Sequence, residues 1–298
     1  RLEWGWGRHF ECGLGKPLAT LWAIKQLFPP WNSILAGHFE KVGLIMFAVL
    51  SPAKKLADNA RRLPSTQPDL LGHTEELVDL MRGKTVSDLM SLMGISENLA
   101  TLNHGRYQDF SMPLVMGQNA EPASLMFAGD TYVGLDVDTL EDDDLVWSQE
   151  HLGILSGLYG LLRPLDLVAP YRLEMGTKLT TDRGKNLYSF WGDRITRLIN
   201  ERLKEHESKT VINLASTEYF KSVQTPDLEG MVITPVFKEL RDGKAKVISF
   251  MAKRARGAMA RYMIENRLTE PTRLKAFDWG GYRYDAESSS GDQWVFVR

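Results

Sequence analysis

Apolar and polar positions recur along this chain with two different periods, and the periods divide it into elements. Continuous apolar runs read as buried strands: "LIMFAVL" (44–50), "SLMFAGD" (124–130), "TVINLAS" (210–216) and "WVFV" (294–297). Apolar residues spaced i, i+3, i+4 predict helices. "GHTEELVDLMRG" (72–83) is one, with Leu77, Leu80 and Met81 on a single face. "TVSDLMSLMGISENLATLNHGRYQDF" (85–110) predicts two short helices around Gly94. "EDDDLVWSQEHLGILSGLYGLL" (141–162) reads as a helix with acidic residues in its first turn, where the macrodipole favours them. "KNLYSFWGDRITRLINERLKEH" (185–206) reads as an amphipathic helix. "MVITPVFKEL" and "KVISFM" flank Asp242-Gly243, a hairpin signal. "SFMAKRARGAMARYMIENRL" (249–268) follows as a helix. No repeat or long polar linker divides residues 46–298, so these elements predict an α+β fold, one mixed domain around a central sheet.

Composition narrows the class. The 298 residues are 43% hydrophobic and 25% charged, enough for a large core. The one cysteine, Cys12, excludes a disulfide framework and agrees with a reducing, cytoplasmic setting. The six histidines never stand at i, i+4, and no HExxH, CxxC or EF-hand pattern occurs, so no metal or other cofactor is expected. Residues 1–45 carry four of the eight tryptophans (Trp4, Trp6, Trp22, Trp31). Their apolar stretch "PLATLWAIKQLF" is too short to span a bilayer and lacks the flanks of a signal peptide. They are read as a leader, foreign to the domain or poorly ordered, with Met46 as the domain's own start. The alternative is an amphipathic helix docked on it. No membrane contact is expected.

Charge raises a functional question. Residues 46–298 hold 36 − 5 = 31 Lys/Arg and 38 − 3 = 35 Asp/Glu, a net of −4. Yet the window from Lys238 to Lys275 holds eleven Lys/Arg against four Asp/Glu. On a helical wheel Lys253, Arg254, Arg256 and Arg261 face away from Ala255, Ala258, Met259 and Met263, with no acid between Lys253 and Arg261. Gly257 would let another backbone approach. This face is either a solvated surface or a phosphate contact. The turn Met93-Gly94-Ile95-Ser96 is a second candidate. Gly94 permits a tight turn, Ser96 is placed to cap the next helix, and Arg106 adds charge nearby. It reads equally as an αα-hairpin of the core or as a helix-hairpin-helix offering backbone N–H groups to a phosphate. A third is "LSPAKK", a strand end carrying Lys54 and Lys55, which lacks the GxxxxGK[ST] of a P-loop. In the proline-stiffened loop 163–176, Arg163, Asp166, Tyr171, Arg172 and Glu174 crowd together, and Arg172 and Glu174 would share a face if extended, either as converging polar groups of a site or as a structural ion pair. In "NLASTEYFKSV" Glu218 follows a strand end, as an acid/base or as a first-turn charge.

Together "LSPAK", "LSGLYGLLRPLDLVAPYRLEMG", "FWGD", "INLASTEYFKSV", "ISFMAKRARGAMARYMIENRL" and "ESSSGDQWVFVR" resemble the YaaA family of bacterial peroxide-stress proteins, from about Met46 to the C-terminus. The resemblance implies an α+β domain with a helix-hairpin-helix and a positively charged cleft, duplex DNA binding through phosphates, and a part in limiting free intracellular iron and DNA damage. Carried over, the cleft would use Lys54, Arg163, Arg172, Lys253, Arg254, Arg256 and Arg261. The hairpin Met93–Ser96 departs from the motif at Ser96, where a second glycine is usual. The alternative is an enzyme acting on a nucleotide or nucleobase in the same cleft, with Lys54 and Arg172 holding an anion and Glu174 or Glu218 moving a proton. Tyr219 lies beside that set.

Overall fold

The strand "MFAVL" is buried at every position, as a run without polar alternation requires, and the sheet is built outward from it. A computed structural model describes residues 46–298, except residues 58, 60 and 205–208. The expectation for the leader lies outside these residues. β1 (Met46–Leu50) pairs in parallel with β3 (Leu152–Ser156) on one side and with β6 (Thr210–Asn213) on the other. β7 (Met231–Arg241) continues in parallel beside β6, and β10 (Gln293–Val297) beside β7. Antiparallel β4 (Gly160–Leu162) and β9 (Arg283–Ser290) close the two edges, while β8 (Lys244–Lys246) lies off this order and pairs with β7. A separate pair joins β2 (Glu121–Pro122) to β5 (Leu167–Val168). The fold is thus the mixed single domain with a central sheet that the sequence predicts. Among the described residues no helix is long and apolar enough to cross a membrane.

The helices follow their local chemistry. α1 is Leu71–Arg82. α2 (Val86–Met93) starts in a capping box, where the Thr85 side chain accepts from the Asp88 N–H and the Asp88 carboxylate accepts from the Thr85 N–H. α3 is Glu97–Asp109. α4 (Ala123–Met126) corrects the strand expected at 124–130. Its four residues are all buried, and a short apolar run has no period by which to tell a strand from a helical turn. α5 is Asp130–Leu135.

α6 (Asp142–Ser148) is the acidic start of the helix expected over 141–162, which ends there. The rest is the buried hairpin β3–β4. Ser156 Oγ accepts the N–H groups of Leu158 and Tyr159 in its turn, and Gly160 takes a positive φ of 73°. The helix expected over 185–206 breaks at Gly192 (φ 53°) into α7 (Leu187–Trp191) and α8 (Arg194–Leu203). α9 is Thr217–Phe220, and α10 is Ser249–Glu265. Of the expected strand "KVISFM" only Lys246 lies in a strand, because the segment turns into α10 at Ser249.

α10 lies against α5 in backbone contact, and two glycines make this approach possible. A Cβ on Gly257 would stand 1.7 Å from the Thr131 carbonyl oxygen, and one on Gly134 would stand 1.9 Å from that of Arg254. The approach foreseen at Gly257 is therefore the backbone of α5. Replacing Gly257 by Ala forces the helices apart and should destabilise the domain by about 1–3 kcal/mol, read as a lower urea midpoint. Gly105→Ala on α3, with nothing within 4 Å of the added carbon, should hold or raise it by about 0.5–1 kcal/mol.

Candidate functional site

The chain leaves β1 for β3 on one side and returns as β6 on the other, so strand order reverses between β1 and β6. In open α/β sheets the crevice outside the carboxyl ends at such a reversal is where ligands bind. β1 ends there in Ser51-Pro52-Ala53-Lys54-Lys55, and β6 ends in Leu214-Ala215-Ser216. Ser51 Oγ accepts the Ser216 N–H at 2.9 Å and ties the strand ends together. The Tyr132 hydroxyl donates to the Ser51 carbonyl at 3.2 Å, and Ser216 caps α9.

The loop after β5 delivers charge to this point. Tyr171, Leu173 and Met175 are buried while Arg172 and Glu174 point outward together, the shared face expected of residues two apart in an extended chain. The Glu174 carboxylate sits between Lys54 Nζ (2.6 Å) and Arg172 Nη2 (3.0 Å). Glu218 Oε1 accepts the Gly176 N–H at 2.9 Å, which fixes the loop to the start of α9. The Tyr107 hydroxyl donates to the Arg172 carbonyl at 2.7 Å. Arg172 Nε is buried with no hydrogen-bond partner. Burial pushes the phenols of Tyr132, Tyr171 and Tyr219 well above their ordinary value, so they stay protonated. Lys54, Glu174 and Arg172 thus form one ion-paired chain, and Glu218 is tied to the same loop through the Gly176 N–H.

Beside it lies a groove of about 720 Å³. Gly176, Thr177 and Lys178 form one wall; Lys84, Met93 and Gly94 form part of the other. Gly94 (φ 60°, ψ 45°) closes α2 with its N–H on the Met90 carbonyl, and α3 opens three residues later at Glu97. Ser96 is the N-cap residue of α3, but its side chain accepts no capping hydrogen bond, contrary to expectation. It is exposed, as are Gly94 and the first three residues of α3. Arg106 is not at this turn. It stands ten residues along α3 from Ser96, about 15 Å at 1.5 Å per residue. It is half-buried with Nη1 on Asn103 Oδ1, and burial lowers its pKa.

The basic helix differs most from its expected picture. Arg254 pairs with Asp130 of α5 at 3.2 Å. Arg261 Nη1 donates to the carbonyls of Leu135 and Asp136 and to Thr139 Oγ1, and its guanidinium also pairs with Glu265. Arg256 is mostly buried; its Nε has no partner and burial lowers its pKa. Lys253 alone of the four is exposed and outside every ion pair found among the described residues. The face that looked free is therefore largely matched by acids and carbonyls from about 120 residues earlier in the chain, which helical spacing cannot reveal.

Arg163 is also placed elsewhere. It follows β4, which runs antiparallel to β3, and so lies toward the amino end of the parallel strands, opposite Lys54. There it bonds the fully buried Asp166 and the Gln67 carbonyl. Lys55 is exposed, and its carbonyl accepts the Ala128 N–H. Gly129 packs on Ala53, and Asp130 then meets Arg254, so the Lys54 turn and the start of α10 adjoin. Lys84, Lys178, Ser51 and Ser216 were not recognised from sequence. Only the strand-end position of the two serines carried a signal.

A family model described as peroxide stress protein YaaA matches residues 46–288. The chain is 51% identical over 256 residues to a UPF0246 protein of Teredinibacter turnerae, covering 85% of this chain and 99% of that protein. It is 52% identical over 257 residues to a UPF0246 protein of Magnetococcus marinus, with the same coverage. A UPF0246 protein of Saccharophagus degradans is 50% identical over 255 residues, again covering 85% of this chain and 99% of that protein.

Two cations of equal formal charge should behave oppositely. Arg163→Ala leaves the buried Asp166 carboxylate with the Thr66 hydroxyl and a backbone N–H but without its guanidinium, and should cost about 3–5 kcal/mol in urea unfolding. Lys253→Ala should stay within about 0.5 kcal/mol of wild type.

Proposed function

The chain belongs to the peroxide stress protein YaaA family, and on that premise we propose that it binds duplex DNA through phosphate contacts as part of the peroxide-stress response. One observation carries the reading. Around the carboxyl end of the sheet Lys55, Lys178 and Lys253 are exposed and Lys84 half-buried, and none of the four belongs to an ion pair found among the described residues. A net acidic domain meets a polyanion only through such a local excess. The turn at Gly94 adds the exposed amino end of α3, whose N–H groups and dipole favour a phosphate oxygen. The departure at Ser96 does not close this end, because its side chain takes none of the N–H groups. Limitation of free iron and of DNA damage is proposed as the cellular outcome.

A different observation favours a second reading, an enzyme or binding site for a nucleotide. Arg172 Nε is buried and unpartnered beside Lys54 and Glu174 at the reversal of strand order. An anionic nucleotide would be held there by Lys54 and Arg172, while Glu174 or Glu218 moves a proton.

Phosphate contacts predict weak sequence preference and a steep fall in affinity with salt, about −0.9 in the log–log slope for each contact. In fluorescence anisotropy on duplexes of unrelated sequence, Lys84→Ala and Lys178→Ala should each weaken binding uniformly and flatten that slope by about 1. No duplex binding by wild type, or a double variant with the wild-type slope, would overturn the proposal. For the second reading, a mononucleotide should raise the thermal midpoint of wild type but not that of Lys54→Ala or Arg172→Lys. A flat response to all common nucleotides would count against it.

A further inference from the structure

β7 pairs with β6 as far as Ile233 and with β10 as far as Lys238; the carbonyl of Arg298, which follows β10, still accepts the Leu240 N–H at 2.7 Å, and β7 then runs on to Arg241 with β8 as its strand partner. Burial alternates along β7 up to Glu239 and then stops; every residue from Leu240 to Val247 is exposed. Because β7 is parallel to β6, this extension leaves the sheet at the same carboxyl end that carries Lys54. Three residues separate Lys238 from Arg241, about 10 Å at 3.3 Å per residue. The turn is formed by Asp242 (φ 51°) and Gly243 (φ 71°), both left-handed as a tight two-residue hairpin requires. The base is held firmly. Glu239 is buried and accepts from the Tyr282 hydroxyl and from Arg298 Nε at 2.8 Å, and the Arg298 guanidinium lies 4.9 Å from the Tyr282 ring centre.

The register divides this ribbon into two chemically distinct faces. Leu240 stands opposite Ala245, and Arg241 opposite Lys244, with Lys246 opposite Glu239. At a period of two, Arg241, Lys244 and Lys246 share one face with the buried Glu239 at its base, while Leu240 and Ala245 share the other. Leu240 is 59% exposed, and Val247 and Phe250, which follow the ribbon into α10, are 53% and 50% exposed. None of Arg241, Lys244, Lys246 and Lys253 belongs to an ion pair found among the described residues. Asp242 is the only acid between Leu240 and Lys253. Lysines on a bare strand edge serve to repel pairing with another chain. That purpose does not account for three large exposed apolar side chains next to them, a combination that calls for a covering partner.

We propose that this ribbon is a second nucleic-acid contact, which lies in a groove of the duplex. The proposal rests on the duplex-binding reading above and adds to it the element that enters the DNA. A two-stranded ribbon fits a major groove about 12 Å wide. Its long cationic side chains reach the phosphates on either side, and Leu240, Val247 and Phe250 press on sugars, base edges and thymine methyl groups. The positive charge of the 238–275 window thus acts through Arg241 and the lysines ahead of α10 and at its start, while Arg254 and Arg261 brace α10 against α5.

The test uses the full chain and a fluorescent duplex across a salt series. Lys244→Ala with Lys246→Ala should weaken binding about tenfold and flatten the salt slope by about 2. Leu240→Ser with Val247→Ser should weaken binding without changing the slope. All four positions are exposed, so thermal midpoints should match wild type. If wild type binds and both double variants keep its affinity and slope, the ribbon proposal is wrong and the duplex reading stands. If wild type binds no duplex, the duplex reading itself falls, and the ribbon with it. Variants that lose binding to phosphatidylserine vesicles, or change only the oligomeric state, while duplex binding is untouched, overturn the ribbon proposal as well.

Discussion

Everything at the carboxyl end of the sheet depends on β1 having a parallel neighbour on each side. A five-residue strand with no polar position has no face to offer water, so it is stable only when both edges are paired and both faces covered. Parallel neighbours need long crossovers. The excursion from β1 to β3 holds α1 to α6, including the α2–α3 hairpin, and the excursion from β3 to β6 holds the loop with Arg172 and Glu174. β1 and β6 pair in parallel register up to Val49 and Asn213, so their carboxyl ends lie side by side. Ser51 and Ser216 are neighbours for that reason, and Lys54 reaches Glu174 across more than a hundred residues of chain.

Within this frame arginine and lysine take different roles. Arg61, Arg163, Arg172, Arg254, Arg261, Arg267 and Arg298 each pair with a carboxylate, and several also hold carbonyls from distant segments. A planar fork with five donors suits such bridging. Among the described residues, cations outside ion pairs include Lys55, Lys84, Lys178, Lys244, Lys246 and Lys253, compact and strongly hydrated charges that stay in water at little cost. In this acidic domain most of the arginines named here brace distant segments, while these lysines leave their charge at the surface. A count of basic residues cannot separate the two roles.

The sequence was read correctly where a local rule decides the outcome. β1, β6 and β10, α1 to α3, and the Asp242-Gly243 turn follow from runs, spacing and turn chemistry. It was misread where two elements share one apolar stretch. "HLGILSGLYGLL" contains Gly153, Gly157 and Gly160, each closely approached by other atoms, and this mattered more than its continuity with the acidic helix before it. Gly192 divided the 185–206 segment in the same manner. Glycine at a close approach is a tertiary requirement that appears in sequence as a weak helix interruption.

By itself the sequence determined the fold class, the family resemblance from Met46 onward, the shared face of Arg172 and Glu174, and the close approach at Gly257. Those outcomes depend on period and residue size, which are properties of neighbours in the chain. Only the tertiary structure decided which cations remain outside ion pairs. Asp130, Asp136 and Asp166 reach Arg254, Arg261 and Arg163 through folding, and β7 outruns its neighbours because β6 and β10 end where they do. Charge is cancelled by whatever lies within a few ångströms in space, and the linear order of residues does not record that distance.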